Sequence, residues 1–336
     1  MSRRPRAAIA MSADVAARLL DGPVRRRLAE LAEVDASLVV TDFTAPEARS
    51  ALAGAEVLYT CWGCPPLTAE VLAGAPRLRA VVHAAGSVKH HITDACWERG
   101  LRVSSAAIAN ALPVAEFTLA AILFAGKRVL EIAHLYRRDR AAHDWDRRFP
   151  GFGNYRRTVG IVGASTIGRR VIELLRPFDL DVLVSDPYLD AAGAARLGVR
   201  SVELDELVAG SDVVSLHAPD LPSTRHMIDG RRLALMRDGA TLINTARGAL
   251  VDQAALTGEL LSGRLHAVID VTEPEVPPAS SPLYDLPNVL LTPHIAGSLG
   301  GELRRMADVA LDELERYAHG LPFRYGVAPE ALTRSA

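Results

Sequence analysis

Short apolar runs of buried-strand length alternate with helix-length segments along most of this 336-residue chain, and no other feature of the sequence restricts its fold so tightly. Ala7–Ala10, Ser37–Val40, Val57–Tyr59, Ala80–His83 and Arg102–Ser104 read as one series of strands. Segments with helical spacing, such as Val24–Ala32 and Ile92–Arg99, lie between them. A second series follows at Thr158–Val162, Val182–Ser185, Val213–His217, Ala240–Asn244 and Ala267–Val271. Strands separated by helices pair in parallel, because a parallel pair needs a crossover, and both faces of such a sheet are then covered. The length exceeds what one core comfortably needs, so two series mean two domains. The expected fold class is α/β, with two doubly wound parallel-sheet domains.

The junction falls near Asn110–Glu116, where Pro113 is expected to open an apolar helix reaching about Arg128, since proline is tolerated in a first helical turn. A polar, Arg-rich connection then runs from His134 to Arg157. It is long for an α/β unit and carries Leu135, Tyr136, Trp145, Phe149 and Phe152, which want burial; it reads as an arm or partner contact. The last helix is expected at about Glu302–Ala318. Apolar residues make up 49% and charged ones 23%, the balance of a soluble globular chain. A net charge of −2 gives no electrostatic footprint for nucleic acid. The basic start (Arg3, Arg4, Arg6) is followed by an apolar stretch broken at Asp14, which argues against a secretory signal. Phe117–Gly126 is too short to cross a bilayer, so no membrane partner is expected and the location is cytoplasmic by default. Three cysteines cannot build a disulfide framework. Cys61-Trp62-Gly63-Cys64 has redox spacing but reads better as a loop after a strand, and no further ligands make it a zinc site. No metal is expected.

Thr158–Gly168 is a strand running into a glycine-punctuated turn and then a helix. A dinucleotide pyrophosphate needs such a turn, because backbone N–H groups and the positive helix end must face its oxygens. Gly163 and Gly168 hold the first and third positions of the G-x-G-x-x-G pattern, with Thr166 and Ile167 between them. Ser165 takes the second, adding a Cβ where the phosphates approach, with a hydroxyl that can compensate. The next strand ends in Asp186, 23 residues after Gly163, where a carboxylate meets the adenosine ribose hydroxyls. No arginine stands beside it to take a 2′-phosphate, so the expected cofactor is NAD. A G-x-S-x-G nucleophile elbow fails because position 167 is Ile.

Three further motifs sit just beyond strands, where ligands of open α/β sheets bind: Asn244-Thr245-Ala246-Arg247-Gly248, Asp270-Val271-Thr272-Glu273-Pro274-Glu275 and Thr292-Pro293-His294-Ile295-Ala296-Gly297. Singly, Arg247 could be a surface ion pair, Glu275 a solvated charge and His294 a helix cap. Together, and in this order, they make residues from about Val57 to Phe323 resemble the D-isomer-specific 2-hydroxyacid dehydrogenase family.

That resemblance implies a Rossmann NAD-binding domain and a flavodoxin-like substrate/catalytic domain with an interdomain cleft. The first domain would be discontinuous, residues 1–112 plus 299–336, around an NAD-binding domain at 113–298. It implies Arg247, Glu275 and His294 as the catalytic set, and Asp270 against the nicotinamide carboxamide. Ala218, Thr245, Ala246 and Gly297 join the cofactor contacts. The turn after the Ala80–His83 run resembles the family's carboxylate-binding turn, with Gly86, Ser87 and Val88 offering backbone N–H groups in a nest. Trp62 is a candidate wall of the substrate pocket. His90 and His91 read as a solvated helix start. Thr272 stands where the family usually has Phe, and Val276 where Pro usually follows the acid.

The residue types suit hydride transfer independently. Hydride reaching C2 of a keto acid leaves charge on the carbonyl oxygen, so a proton donor must stand ready, and histidine suits that near neutrality. Arginine can fork onto a carboxylate or carbonyl. The expected function is hydride transfer between NAD(H) and a small 2-hydroxy/2-keto acid by a homodimer built around the 134–157 connection. An NAD-sensing corepressor-like binding protein, or a formate- or phosphite-type dehydrogenase, are the alternatives.

Overall fold

The computed structural model describes residues 4–332. Arg3, and the outer ends of the expected first domain at 1–3 and 333–336, lie outside the described residues. The chain divides into two compact units, one holding the residues up to Ala111 and those from Ser298 onward, the other Leu112–Gly297.

In the first unit, β1 (Ala7–Ala10), β2 (Val39–Val40), β3 (Val57–Thr60), β4 (Ala80–His83) and β5 (Arg102–Ser105) form a parallel sheet in the order β2-β1-β3-β4-β5. That is the flavodoxin-like doubly wound order. Register follows side-chain alternation: Ile9, Val57, Tyr59 and Val82 enter one core, while Ala8, Ala10, Leu58 and Val81 enter the other. A sheet buried on both faces demands this near-continuous apolar content, which is why these strands are legible as apolar runs.

The second unit carries β6 (Arg157–Val162), β7 (Leu180–Ser185), β8 (Arg200–Ser201), β9 (Val213–Leu216), β10 (Thr241–Asn244), β11 (His266–Ile269) and β12 (Val289–Leu291). Their order, β8-β7-β6-β9-β10-β11-β12, is all parallel and reverses direction between β6 and β9. This is the Rossmann arrangement with one added edge strand, and the reversal is the switch point where such sheets bind ligands. The chain then returns to the first unit. Helix Leu303–Ala318 packs Leu303, Met306, Leu311 and Leu314 into that core, and β13 (Gly326–Val327) pairs antiparallel with β5.

Three local expectations are corrected. The long helix runs Ala107–Gly126, with Pro113 inside it. It starts earlier because Ser105 Oγ accepts from the Ala107 N–H and the intervening residues are good helix formers; Pro113 removes a single donor. With 20 residues it is long and apolar enough to cross a membrane by length and composition, which the shorter Phe117–Gly126 run did not reveal. The 134–157 connection begins inside helix Val129–Asp139 and carries the short helix Trp145–Arg148, the remainder being turns and irregular chain. Of its five apolar candidates only Leu135 is buried within the chain; Tyr136 is exposed and the three others are half-buried. Finally, His91 is buried, its ring centroid 4.4 Å from that of His83, and the helix expected at its side begins at Asp94.

Buried histidines tie stability to pH. Burial pushes His217 down to about 3, and burial with the neighbouring His90 pushes His91 down to about 4. The unfolded chain takes up these protons near pH 6.5. Below that pH the unfolded state therefore binds more protons, and stability falls until each folded-state value is passed. The slope is on the order of 1.4 kcal/mol per pH unit for each histidine. Urea unfolding at pH 7 and pH 5 will give a lower midpoint at pH 5, and His217→Gln will flatten the difference. Equal midpoints at the two pH values would contradict this.

Candidate active site

At the switch point of the second sheet, the chain leaves β6 through Gly163, whose φ of +96° suits glycine. A Cβ there would stand 2.8 Å from the Ala218 nitrogen, so the turn also packs against the segment leaving β9. Gly168 is equally constrained, since a Cβ on it would collide with the Gly163 carbonyl. Ser165, at φ −66°, strains nothing. It N-caps helix Thr166–Leu175, its hydroxyl accepting from the Gly168 N–H at 3.3 Å. The amides of Ser165, Thr166 and Ile167 donate to no acceptor among the described residues. Free N–H groups at a helix start, with the dipole behind them, are the donor set a pyrophosphate requires. Asp186, at the tip of β7, accepts from the Ala164 N–H at 2.6 Å and from the Tyr188 N–H at 2.7 Å, fixing its carboxylate beside the turn. Ala218 is buried, and the His217 ring is neutral at working pH and bonded to Ser215 Oγ at 2.9 Å, which leaves it no part in proton transfer.

Beyond β10, the buried Asn244 side chain braces the next turn, donating to the Arg247 carbonyl and accepting from the Ala246 N–H. Thr245 is buried with its hydroxyl 3.0 Å from that of Thr118. Arg247 leaves this turn half-buried. Among the described residues its guanidinium makes one hydrogen bond, to the Ala246 carbonyl, and no carboxylate lies within ion-pair distance of it. Burial pushes its guanidinium down, and the Asp220 and Glu275 carboxylates oppose that. A guanidinium held near carboxylates yet paired with none keeps its fork for a ligand. Gly248 follows at once, and a Cβ on it would collide with the Thr272–Glu273 peptide. This missing side chain lets the arginine turn lie against the acidic loop.

The third element is the histidine turn after β12. His294 adopts a left-handed φ of +54°, uncommon for a residue with a Cβ. Asp270, almost fully buried at the end of β11, holds it there. The Asp270 carboxylate accepts from Thr292 Oγ1 at 2.6 Å and from the amides of Ile295 and Ala296 at 2.8 and 3.0 Å; its carbonyl accepts from the His294 N–H at 2.8 Å. The His294 ring then presents Nδ1 to Glu275 Oε1 at 2.5 Å. An ionised carboxylate only accepts, so Nδ1 carries the proton and Nε2 is the free ring nitrogen. Both side chains are about half-exposed, so reactants can reach them. Gly297 closes the turn.

The first unit contributes its own candidate surface. After β4 the chain turns through Ala84–Val88, and the amides of Gly86, Ser87 and Val88 donate to no acceptor among the described residues. Beneath them His83 is buried with Nδ1 2.9 Å from Thr60 Oγ1. Trp62 is 37% exposed, an outward aromatic rather than a core one. Cys61 and Cys64 are buried free thiols, each pushed up to about 12 by burial, which removes the thiolate that redox exchange needs. Among the described residues no cluster of His, Cys, Asp or Glu is arranged to hold a metal.

The second unit thus brings Arg247, Glu275 and His294 to the carboxyl ends of its strands, with Asp270 beneath the histidine. Asn244, Gly248, Asp220 and Thr272 also shape this site; the motifs contain the first two and Thr272 departs from the family, but the sequence assigned none of the four a role. The glycine directly after Arg247 was the one available sign of a close approach.

Residues 119–296 match the family model described as D-isomer specific 2-hydroxyacid dehydrogenase, NAD binding domain. The chain is 36% identical to D-3-phosphoglycerate dehydrogenase of Mycobacterium leprae over 86% of its own length and 50% of that protein's. It therefore spans about half the length of the phosphoglycerate dehydrogenases it matches. It is 34% identical to glyoxylate reductase of Korarchaeum cryptofilum, covering 76% of this chain and 77% of that protein. Among solved structures, TT0316 of Thermus thermophilus superposes with a TM-score of 0.76 at 33% identity, covering 96% of this chain and all of that one.

The close approach at Gly248 makes a direct prediction. Gly248→Ala must part the arginine turn from the acidic loop, at a cost of about 1–3 kcal/mol of the kind that overpacking causes. Urea denaturation will show the loss, and a variant as stable as the parent protein would contradict the packing described.

Proposed function

The chain belongs to the D-isomer-specific 2-hydroxyacid dehydrogenase family, and from that premise we propose that it transfers a hydride between NAD(H) and C2 of a small 2-hydroxy/2-keto acid. The observation that carries this reading is the pairing of His294 with Glu275, in a unit that also offers a guanidinium without a carboxylate partner. NAD, when bound, supplies the hydride or accepts it. The free amides of Ser165–Ile167 receive its pyrophosphate, Asp186 its ribose, and Ala218, Thr245, Ala246, Asp270 and Gly297 line its nicotinamide half.

Arg247 forks onto the substrate's carboxylate or carbonyl and holds C2 in line for transfer. In the first unit, the family resemblance assigns the amides of Gly86, Ser87 and Val88 to an anion and Trp62 to a pocket wall. His294 Nε2 donates its proton to the carbonyl oxygen during keto-acid reduction and takes the hydroxyl proton in the reverse direction. Glu275 fixes the ring's orientation by accepting from Nδ1, so that Nε2 of the imidazolium form faces the reactant. We further assign the chain to a homodimer built around the 134–157 connection, where Tyr136 stands exposed. Its free, buried cysteines suit a reducing compartment such as the cytoplasm.

NADH oxidation across glyoxylate, pyruvate, hydroxypyruvate and bulkier 2-keto acids tests the proposal, with turnover expected for at least one. NADH binding with no turnover on any of them would favour the binding-protein alternative, and NAD reduction by formate or phosphite the other. His294→Ala will lower turnover by about two to four orders of magnitude while NADH still binds. Arg247→Lys will also be damaging, since a point charge cannot reproduce the fork. Glu275→Gln removes the carboxylate that accepts from His294 Nδ1, so keto-acid reduction will slow while NADH still binds. An unchanged rate would separate Glu275 from the proton transfer.

A further inference from the structure

Glu275 sits on an exposed loop, yet its carboxylate must meet His294 with little freedom to wander. Residues 273–276 are exposed, and fixing each backbone residue costs about 1–2 kcal/mol of conformational entropy, so something must hold this loop. Its outer end has two weak ties: the Glu273 N–H donates to Gln253 Oε1 at 3.2 Å, and the Glu273 carboxylate pairs with Arg225 at 2.8 Å with both side chains about half-exposed. Exposed pairs of this kind contribute little. Buried residues close both ends of the loop: Pro277, whose carbonyl accepts from Tyr284 OH at 3.0 Å, and Thr272, which alone of the two bonds back to the loop's own backbone. Thr272 is 6% exposed, its peptide is pressed against Gly248, and its Oγ1 lies 2.7 Å from the Pro274 carbonyl and 2.9 Å from that of Glu275. One hydroxyl proton is thus shared between two carbonyls, folding the loop back over the threonine and fixing the backbone from which the Glu275 side chain departs.

We infer that Thr272 is the positioning residue of the proton-transfer pair: its hydroxyl sets the 272–275 loop so that Glu275 meets His294 Nδ1. A side chain that cannot donate a hydrogen bond would leave the loop's shape to solvent. The inference rests on the function proposed above only for its kinetic consequence, since the geometry can be read without turnover.

The test compares Thr272→Val, which keeps the branched shape and removes the donor, with Thr272→Ser, which keeps the donor. Loss of one hydrogen bond predicts a fall in kcat of about threefold to tenfold in Thr272→Val, with NADH affinity unchanged and Thr272→Ser recovering most of the activity. In parallel, the nitrogen-15 NMR signal of His294 Nδ1, assigned by its disappearance in His294→Ala, should move in Thr272→Val toward its position in Glu275→Gln. An unmoved signal would overturn the inference, as would equal loss in the Val and Ser variants, or weakened NADH binding alongside the loss of rate. If Thr272→Val does not fold, Thr272→Ala replaces it against the same Ser control. Should the parent protein turn over no 2-keto acid, the proposed function fails while the NMR comparison still decides the role of Thr272.

Discussion

A buried carboxylate organises the carboxyl end of the second sheet. Asp270 gathers a hydroxyl and two amides from the turn beyond β12, and its own carbonyl takes the His294 amide. A charge withdrawn from water is tolerable only when its lone pairs are satisfied, and here the donors come from the very turn that must be positioned. The same bonds hold His294 in a left-handed conformation that costs about 1–2 kcal/mol for a residue with a Cβ. Strain at the histidine and burial at the aspartate are two sides of one arrangement. The outcome is an exposed imidazole with a fixed direction, able to meet a carboxylate through one nitrogen and a reactant through the other.

The neighbouring loops reach that imidazole by a different means. Gly248 removes the side chain that would keep the arginine turn away from the Thr272–Glu273 peptide, so a guanidinium from the end of β10 and a carboxylate from beyond β11 share one corner of the sheet. The cofactor end follows similar logic, since Gly163 and Gly168 are both closed in by backbone. Ser165 occupies a place where glycine is usual, but its φ is ordinary and its hydroxyl caps the helix, so the turn keeps its shape and its free amides.

Most of the strands were legible because sheets buried on both faces need unbroken apolar runs; β4 was read to the residue, and β2 shrank to two residues at its sheet edge. Pro113 misled, because its effect depends on whether the residues before it are already helical, and Ala107 to Leu112 are. The long connection misled as well: its arginines and aromatics hid an ordinary helical pattern between Val129 and Asp139. In the site, Arg247, Glu275 and His294 stood out through three ordered motifs beyond strands and the family those motifs resemble. The bracing roles of Thr272 and Asn244 did not, since hydrogen bonds to nearby backbone leave no period or spacing in a sequence. His91 was read as solvated because nothing local reveals that Thr60 and His83, distant in sequence, enclose it.

Whether His294 and Glu275 work as one unit is the question on which the account turns. The most direct measurement is a double-mutant cycle on kcat/KM, using alanine at each position alone and at both together. Residues that act through a single proton-transfer pair are strongly non-additive, so the double variant should be scarcely worse than His294→Ala alone. If the two losses multiply, the pair acts as separate parts and the account is wrong.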